Sequence, residues 1–390
     1  MTPIFLFGTL CHQPLLDVVA GMEVRMEPAA LQGYRAAWVL GKPWPMLEER
    51  AGAQVDGALI IPEPQSLLRL DFYEACFAYK RRAVKVIWDG AEIDAEAWFP
   101  IRQSSEAGEA GEAGEAGEAG EAGEAWSLST WARQWGEMQV HAAKEVMRQM
   151  GVDTPENVGR RFAIIRARAE AQVRAGRWRR PGHVGHTLTR ADVKDHGTHH
   201  IHDGFFNTED RHLSHTRFDG GTQGPVSRLV YRVADAVTVL PYDPVRDRIL
   251  LVEQFRVAPY AHGDISPWLL EPIAGILDAG ESAEATARRE AREEANLTLG
   301  ALHFVARYYP TPGGVAQVLF SYLGIADLPD SAARLGGHAG EGEDILSHLV
   351  PYDLACRMLA EGDMANAPLI LSMQYLMMHR DQLRATVRLG

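Results

Sequence analysis

The chain has few cysteines, no long apolar run and no excess of basic charge, and each shortage excludes a class of protein. Its three cysteines, Cys11, Cys76 and Cys356, are scattered among 390 residues without C-x-x-C spacing. That pattern argues against a zinc site or a disulfide framework and fits a reducing compartment. No uninterrupted apolar stretch reaches the roughly 18 residues that a membrane-spanning helix needs. The opening Met1-Thr-Pro-Ile-Phe-Leu-Phe-Gly8 lacks the basic region and cleavage site of a secretory leader, so a cytoplasmic protein with no membrane partner is expected. The net charge is −13, but seven glutamates (106, 109, 112, 115, 118, 121 and 124) sit in one low-complexity run, leaving −6 elsewhere. Such a balance does not suit a nucleic-acid binder.

At 390 residues, 46% of them hydrophobic, the chain exceeds one ordinary domain and suggests two or three. The Glu-Ala-Gly run from Glu106 to Ala125 divides it. A glycine every third residue costs a helix about 1 kcal/mol each time, and the glutamates repel one another, so a flexible linker over 103–125 is expected. Such coil spans on the order of 25 Å root-mean-square. Beyond it, Trp126, Trp131 and Trp135, then Val140, Ala143, Val146 and Met147, recur at helical intervals. A second helix-like segment runs from Arg161 to Ala175. These read as packing helices whose Trp side chains dock one domain on another. His183, His186, His196, His199, His200 and His202 follow as a connector, read as a solvated loop, with a metal site as the alternative. The expected division is a domain at 1–102, the linker at 103–125, a helical and His-rich connector at 126–194 and a second domain at 195–390.

The richest stretch for chemistry is Gly275-Ile-Leu-Asp-Ala-Gly-Glu281, then Arg289-Glu290-Ala-Arg-Glu293-Glu294-Ala-Asn296-Leu297. Glu290, Glu293 and Glu294 stand at i, i+3 and i+4 on one helical face. Like charges at those spacings destabilise a helix, so a cation is expected to offset them, and hard oxygen ligands suit Mg²⁺ or Mn²⁺. In isolation such a face is more often a solvated Glu/Arg surface. Upstream, Trp268-Leu-Leu-Glu-Pro-Ile-Ala274-Gly275 reads as a short strand ending in glycine, and Ser282 as the N-cap of the helix. A strand-loop-helix unit follows.

This stretch resembles the Nudix box at every fixed position except the last glycine, where Asn296 stands, the next most tolerated residue for a left-handed helix end. From about Phe205 to His379 the chain is similar to the ADP-ribose pyrophosphatase branch of that family. Its matching pieces include Arg217-Phe-Asp-Gly-Gly221, Leu240 to Asp247, Val252 to Arg256, Pro267 to Glu271, Tyr309 to Gly314 and Glu341 to Ile345. The resemblance implies an α/β/α sandwich with a mixed sheet and Mg²⁺-dependent hydrolysis of ADP-ribose to AMP and ribose 5-phosphate. By that resemblance Glu290 and Glu294 bind the metal, the Ala274 carbonyl and the Glu343 carboxylate complete its sites, and Arg256 and Trp268 contact the substrate. Glu341, Glu343 and Glu293 are the candidate carboxylates to take the proton from an attacking water. Arg289 is expected to hold Glu293 or Glu281 in place. Gln317 stands where related enzymes carry a glutamate, which implies weaker metal affinity. A homodimer through this half is also implied.

Ahead of the linker, Ile4 to Leu10 reads as a buried strand entering a glycine turn, Gln13 begins a helix, and Tyr79 to Trp88 alternates as a strand. A small mixed or barrel-like domain is indicated. Phe7-Gly8-Thr9-Leu10, and Leu70-Asp71-Phe-Tyr73-Glu74 followed by Tyr79 and Arg81, resemble the γ-glutamyl cyclotransferase-like family. In that family the loop, here Gly8, Thr9 and Leu10, holds a carboxylate, and a glutamate, here Glu74, shuttles the proton as an amine attacks the γ-carbonyl. The expected fold class is thus α/β multidomain. Fusions of the two modules resemble bacterial tellurite-resistance-associated proteins. The alternatives are another nucleoside diphosphate sugar as substrate, cyclotransfer as the main activity, or a sensor that binds ADP-ribose or a γ-glutamyl compound without turnover.

Overall fold

A computed structural model describes residues 2–101, 122–179, 183–185, 187–337 and 344–388. The chain divides into two compact units, Met1–Arg180 and Pro181–Gly390. No helix among the described residues is long and apolar enough to cross a membrane.

In the first unit the elements run β1 (Ile4–Leu6), α1 (Gln13–Ala20), β2 (Glu27–Val39), β3 (Pro45–Ile60), α2 (Pro64–Ala75), β4 (Tyr79–Trp88), β5 (Ala91–Pro100), β6 (Ala122–Ala125), α3 (Leu128–Trp131), α4 (Glu137–Arg148), α5 (Pro155–Arg160) and α6 (Phe162–Arg177). The sheet order is β3-β1-β5-β4-β2-β6, and β3 also pairs with β2, so five strands form a closed circuit. Side chains alternate across it, as the two-residue strand period requires. Phe5, Ala97 and Phe99 enter one core with Leu31, Val55 and Val86. Their neighbours Ile4, Leu6 and Trp98 face the other way, into a core shared with the helices. Helix α1 starts with Pro14 in its first turn and ends at Gly21, whose φ of +81° suits glycine.

Two expectations change here. The segment 126–194, expected as a connector, supplies part of this unit's core, because Trp131, Met138, Ala142, Val146 and Phe162 bury against Leu15, Leu16, Leu70 and Tyr73. A buried ion pair, with Arg168 Nε 3.1 Å from Glu145 Oε1, ties α6 to α4. The end of the expected linker, Ala122–Ala125, is a strand that pairs antiparallel with the open edge of β2. Its small side chains allow the approach: a Cβ on Gly123 would lie 3.2 Å from the Trp38 carbonyl oxygen. The linker from residue 103 to residue 121 lies outside the described residues.

The second unit comprises β7 (Val193–Asp203), β8 (Asn207–Thr216), β9 (Thr222–Arg232), β10 (Ala236–Asp243), β11 (Arg248–Phe255), α7 (Val257–His262), β12 (Trp268–Glu271), β13 (Ile273–Ile276), α8 (Ala283–Ala295), β14 (Leu302–Tyr308), β15 (Val315–Ala316), β16 (Leu319–Ile325), β17 (Leu335–Gly336), β18 (Ile345–Pro351), α9 (Tyr352–Glu361) and α10 (Ala367–Arg388). Its main sheet runs β14-β16-β10-β11-β18-β17, with β12 on β11 and β13 on β10. The pair β10/β16 is parallel and the rest antiparallel. Alternation again divides the strands: Val237, Val239, Leu250 and Val252 pack under α8, while Leu240, Tyr242, Ile249 and Leu251 pack under α9 and α10. The result is helix, sheet, helix, with α8 on the face that carries the acidic motif.

Of the histidines expected in a solvated loop, His196, His199, His200 and His202 stand instead on strand β7, antiparallel to β8 with His199 opposite Asp210 and His200 opposite Glu209. Solvation was no obstacle to pairing, since β7 is mostly exposed yet its backbone groups are satisfied by β8. His186 lies outside the described residues.

Candidate active site

Helix α8 is built by its ends. Ser282 caps it, its Oγ accepting from the Ala285 N–H at 3.2 Å. Asn296 ends it in the left-handed region, φ 52° and ψ 39°. The Leu297 N–H then bonds back to the Ala291 carbonyl at 2.8 Å, the closure expected of a left-handed cap. The buried face carries Thr286, Ala287, Ala291, Glu294 and Ala295, so Glu294, 2% exposed, is held between helix and sheet.

Glu290 reaches strand β13. A Cβ placed on Gly275 would fall 1.8 Å from Glu290 Oε1 and 2.0 Å from its Cδ. Only a residue without a side chain permits this, and the glycine therefore forms a cradle for the carboxylate. Ala274, the preceding residue, pairs with Thr238 of β10. Thus Ala274 and Glu290 come together around Gly275, with Glu294 one helical turn further on. Glu341 and Glu343 lie outside the described residues.

Arg289 is the hub of the acidic face. Its guanidinium lies 2.7 Å from Glu290 Oε1, 3.0 Å from Glu293 Oε2 and 3.1 Å from Glu281 Oε2, with Asp278 at 3.7 Å. It also donates to the Ile276 carbonyl at 3.2 Å. Burial alone would lower the Arg289 pKa, but the surrounding carboxylates raise it above the usual arginine value. In return Glu281 is held below the ordinary carboxylate range: burial opposes this, and hydrogen bonds from Arg289 and Thr286 outweigh it. A cation that offsets the like charges on α8 is therefore present in the chain itself, and Arg289 holds both Glu281 and Glu293, the two carboxylates expected as alternatives. Among the described residues no group of three or more His, Cys, Asp or Glu side chains is placed to hold a metal ion.

Arg256 and Trp268 meet at one edge of the sheet. Phe255 and Trp268 are register partners, and the Arg256 N–H bonds the Pro267 carbonyl at 2.9 Å. The Arg256 guanidinium donates twice to Glu271 Oε2, at 2.9 and 2.5 Å. Glu271, nearly buried, also accepts from Gln254 and from Asn366. The Trp268 ring is exposed and meets Phe255 edge-on at 5.4 Å. Gln317 donates its amide to the Ala234 carbonyl at 2.8 Å, a bond that an ionised glutamate, having no proton to donate, does not make.

The first unit has a site of its own. The loop Gly8, Thr9, Leu10 follows β1 and lines a cavity of about 80 Å³ together with Tyr73, Glu74 and Tyr79. Burial, reinforced by the charge of Asp71, raises the Glu74 carboxyl to about 8. Asp71 is itself held by Arg81, Nε to Oδ1 2.7 Å and Nη2 to Oδ2 3.0 Å, and by the Trp98 indole at 3.2 Å. The two sequence segments that suggested a site here thus face one cavity. Trp131, Gln139 and Phe162 also line it. Sequence reasoning missed them as site residues; the tryptophan spacing announced only that the later helices pack.

Comparison with known proteins agrees with both halves. Residues 232–371 match the family described as NUDIX domain. The ADP-ribose pyrophosphatase of Escherichia coli (strain K12) is 34% identical over 205 residues, which span 53% of this chain and 97% of that protein. The chain belongs to the Nudix family. A second relative, the ADP-ribose pyrophosphatase of Haemophilus influenzae, is 32% identical over 209 residues, 53% of this chain and 96% of that protein. A third, the GDP-mannose pyrophosphatase of Escherichia coli O1:K1 / APEC, is 33% identical over 151 residues, 39% of this chain and 78% of that protein. Residues 4–118 match the family described as Gamma-glutamyl cyclotransferase, AIG2-like. The chain is therefore a Nudix hydrolase joined to a cyclotransferase-like domain. Nudix hydrolases in general use divalent metal ions.

Proposed function

We propose that the second unit hydrolyses ADP-ribose to AMP and ribose 5-phosphate with Mg²⁺. The observation that carries the reading is the Glu290 carboxylate pressed into the Gly275 cradle, one turn from the nearly buried Glu294. Two oxygen-donor side chains so constrained suit a hard cation. Glu290 and Glu294 would hold it, with the Ala274 carbonyl and Glu343. A bound Mg²⁺ supplies neutralising charge at the bridging phosphates and an activated water. Arg289 orients Glu281, Glu290 and Glu293. Glu341, Glu343 or Glu293 accepts the proton as the water oxygen bonds to phosphorus and the bridging P–O bond breaks. Trp268 offers an exposed ring for stacking against a base, and Arg256, fixed by Glu271, keeps guanidinium N–H groups for the anionic substrate.

The relatives whose full length is matched are named for ADP-ribose, and that supports ADP-ribose over a GDP-sugar. Product analysis of the full chain with ADP-ribose and GDP-mannose, with and without Mg²⁺, tests the assignment. A higher kcat/KM for GDP-mannose would overturn it. We also propose a homodimer through this unit; sedimentation as a concentration-independent monomer would refute that.

A second reading concerns the first unit, where Glu74 and the Gly8–Leu10 loop share a cavity. A carboxyl that is largely neutral near pH 7 can donate and then recover a proton, which suits cyclotransfer on γ-glutamyl compounds. In that step the substrate's α-amine nitrogen bonds to the γ-carbonyl carbon, the bond from that carbon to the departing amine nitrogen breaks to leave 5-oxoproline, and Glu74 delivers its proton to the departing amine and recovers one from the attacking nitrogen.

A further inference from the structure

Glu271 ties the candidate site of the second unit to Asn366, a residue 95 positions further along the chain. Its carboxylate is 5% exposed and accepts hydrogen bonds on both oxygens. Oε2 accepts from Arg256 Nε at 2.9 Å, from Arg256 Nη2 at 2.5 Å and from Gln254 Nε2 at 3.2 Å. Oε1 accepts from Asn366 Nδ2 at 2.9 Å. A carboxylate with a donor on each oxygen cannot turn about its terminal bond without breaking a hydrogen bond to a charged group, and such bonds are among the stronger ones in a protein. The Arg256 side chain, by contrast, is 41% exposed, so packing does not set its direction. Glu271 does, and the plane of Glu271 is in turn held by Asn366.

Asn366 is itself fixed by α10, which it immediately precedes. Its Oδ1 accepts from the Leu369 N–H at 3.1 Å and its carbonyl from the Ile370 N–H at 3.0 Å, the arrangement of a helix N-cap. The amide oxygen caps the helix, and the amide nitrogen, which the cap does not use, reaches Glu271. The two bonds also fix which way the amide points, since a flipped amide would set its oxygen against the carboxylate and its N–H against the Leu369 N–H. Capping alone does not require an amide here. Aspartate caps as well but has no proton to donate when ionised, and the serine hydroxyl, another good cap, ends one bond short of the amide nitrogen.

Resting on the assignment of Arg256 to the anionic substrate above, we propose that Asn366 is a positioning residue for hydrolysis: it locks the Glu271 carboxylate, and through that carboxylate it aims the Arg256 guanidinium at the diphosphate. The turn between α9 and α10 thereby contributes to substrate binding without touching the substrate.

The test is steady-state kinetics of the full chain with ADP-ribose and with GDP-mannose at saturating Mg²⁺, for the wild type, Asn366→Ser, Asn366→Asp, Arg256→Ala and Asn366→Ser combined with Arg256→Ala, each checked for folding by circular dichroism. Asn366→Ser keeps a capping oxygen and removes the donor to Glu271. KM for the better substrate is expected to rise about fivefold in Asn366→Ser, with kcat changing less than KM, because the interaction lost is one of substrate binding. Asn366→Asp also keeps the cap but sets a second carboxylate against Glu271, so its KM should rise further. A role confined to capping predicts no such order, since Asp and Ser cap as well as Asn. In the Arg256→Ala background Asn366→Ser should cost nothing more, because both act through one guanidinium. If Asn366→Asp fails to fold, Asn366→Ser and the cycle with Arg256→Ala decide the matter. A wild-type KM in Asn366→Ser, or a full additional loss in the Arg256→Ala background, would overturn the positioning role and leave Arg256 at the substrate. A wild-type KM in Arg256→Ala would overturn the assignment of Arg256 and this inference with it. Failure of the wild type to hydrolyse either substrate would overturn the proposed function and, with it, the positioning role.

Discussion

Replacing Gly275 by alanine isolates the cradle from the rest of the fold. The added Cβ would start 1.8 Å from Glu290 Oε1. Non-bonded heavy atoms rest at about 3.5 Å or more, so the carboxylate must withdraw by roughly 1.7 Å. Glu290 is a long side chain and can rotate away. The conformational cost is about 0.5–1.5 kcal/mol for a displaced rotamer, a modest change in melting temperature for a unit of this size. The catalytic cost is much larger. Misplacing a catalytic group by about 1 Å reduces turnover on the order of 10²-fold, or about 2.7 kcal/mol of transition-state stabilisation. ADP-ribose hydrolysis at saturating Mg²⁺, run beside thermal melts, separates the two effects. The expected result is a loss of about 10²-fold in kcat/KM with a nearly native melt. Gly275→Ala combined with Glu290→Gln should lose little more than Glu290→Gln alone, because both act on one carboxylate. Activity within about threefold of wild type, or fully additive losses, would refute the cradle.

Glu294→Gln keeps the size of a nearly buried side chain while removing its charge, and is expected to lower ADP-ribose hydrolysis by at least about 10²-fold with a normal circular dichroism spectrum. Glu74→Gln should leave ADP-ribose kcat/KM within about threefold, because Glu74 lies in the first unit and the matched Nudix residues lie in the second. Its pH signature is in stability: the Glu74 carboxyl is raised from 4.5 to about 8 by burial and then by Asp71, so the wild-type first unit loses stability as pH rises from about 4.5 to 8, and Glu74→Gln removes that slope. In the second unit, burial alone would raise Asp247, but hydrogen bonds from Arg380, Tyr242 and Arg384 hold it at about 2, down from 3.8. That contribution, about 2 kcal/mol, is complete above about pH 4 and lost as pH falls toward 2. Asp247→Asn, which tolerates the φ of +55° at this position, should destabilise the unit to urea by about that amount at pH 7 and hardly at all near pH 2.

The second unit was legible where periodicity and caps agree. Ser282 and Asn296 mark the two ends of α8 in the sequence and in the structure. Strands β7 and β8 were not legible, because His, Asp and Thr dominate them and no apolar alternation announces a sheet. Their pairing rests on backbone hydrogen bonds and on ion pairs such as Arg211 and Arg232 with the fully buried Glu209, which are tertiary facts. The helices after Trp126 were legible as helices but not as part of the first unit's core. Their apolar stripe states that something is buried, and only the fold states against what.

The same distinction governs the site. The spacing of Glu290, Glu293 and Glu294 predicts repulsion, and repulsion predicts a cation, but one-dimensional spacing cannot say which cation. Arg289 supplies it from within, and its reach to Glu281 and to the Ile276 carbonyl depends on the loop that returns the chain to α8. A guanidinium that is always charged stabilises the acidic face whether or not a metal is bound. It also shares Glu290 with any metal held there, since it lies 2.7 Å from Oε1. Removing Arg289 thus has two opposing consequences: the carboxylates lose their orientation, and Glu290 loses a competitor for its oxygen. Orientation dominates for catalysis, because one guanidinium fixes three glutamates at once, and a carboxylate free to rotate forfeits more than a vacated oxygen gains.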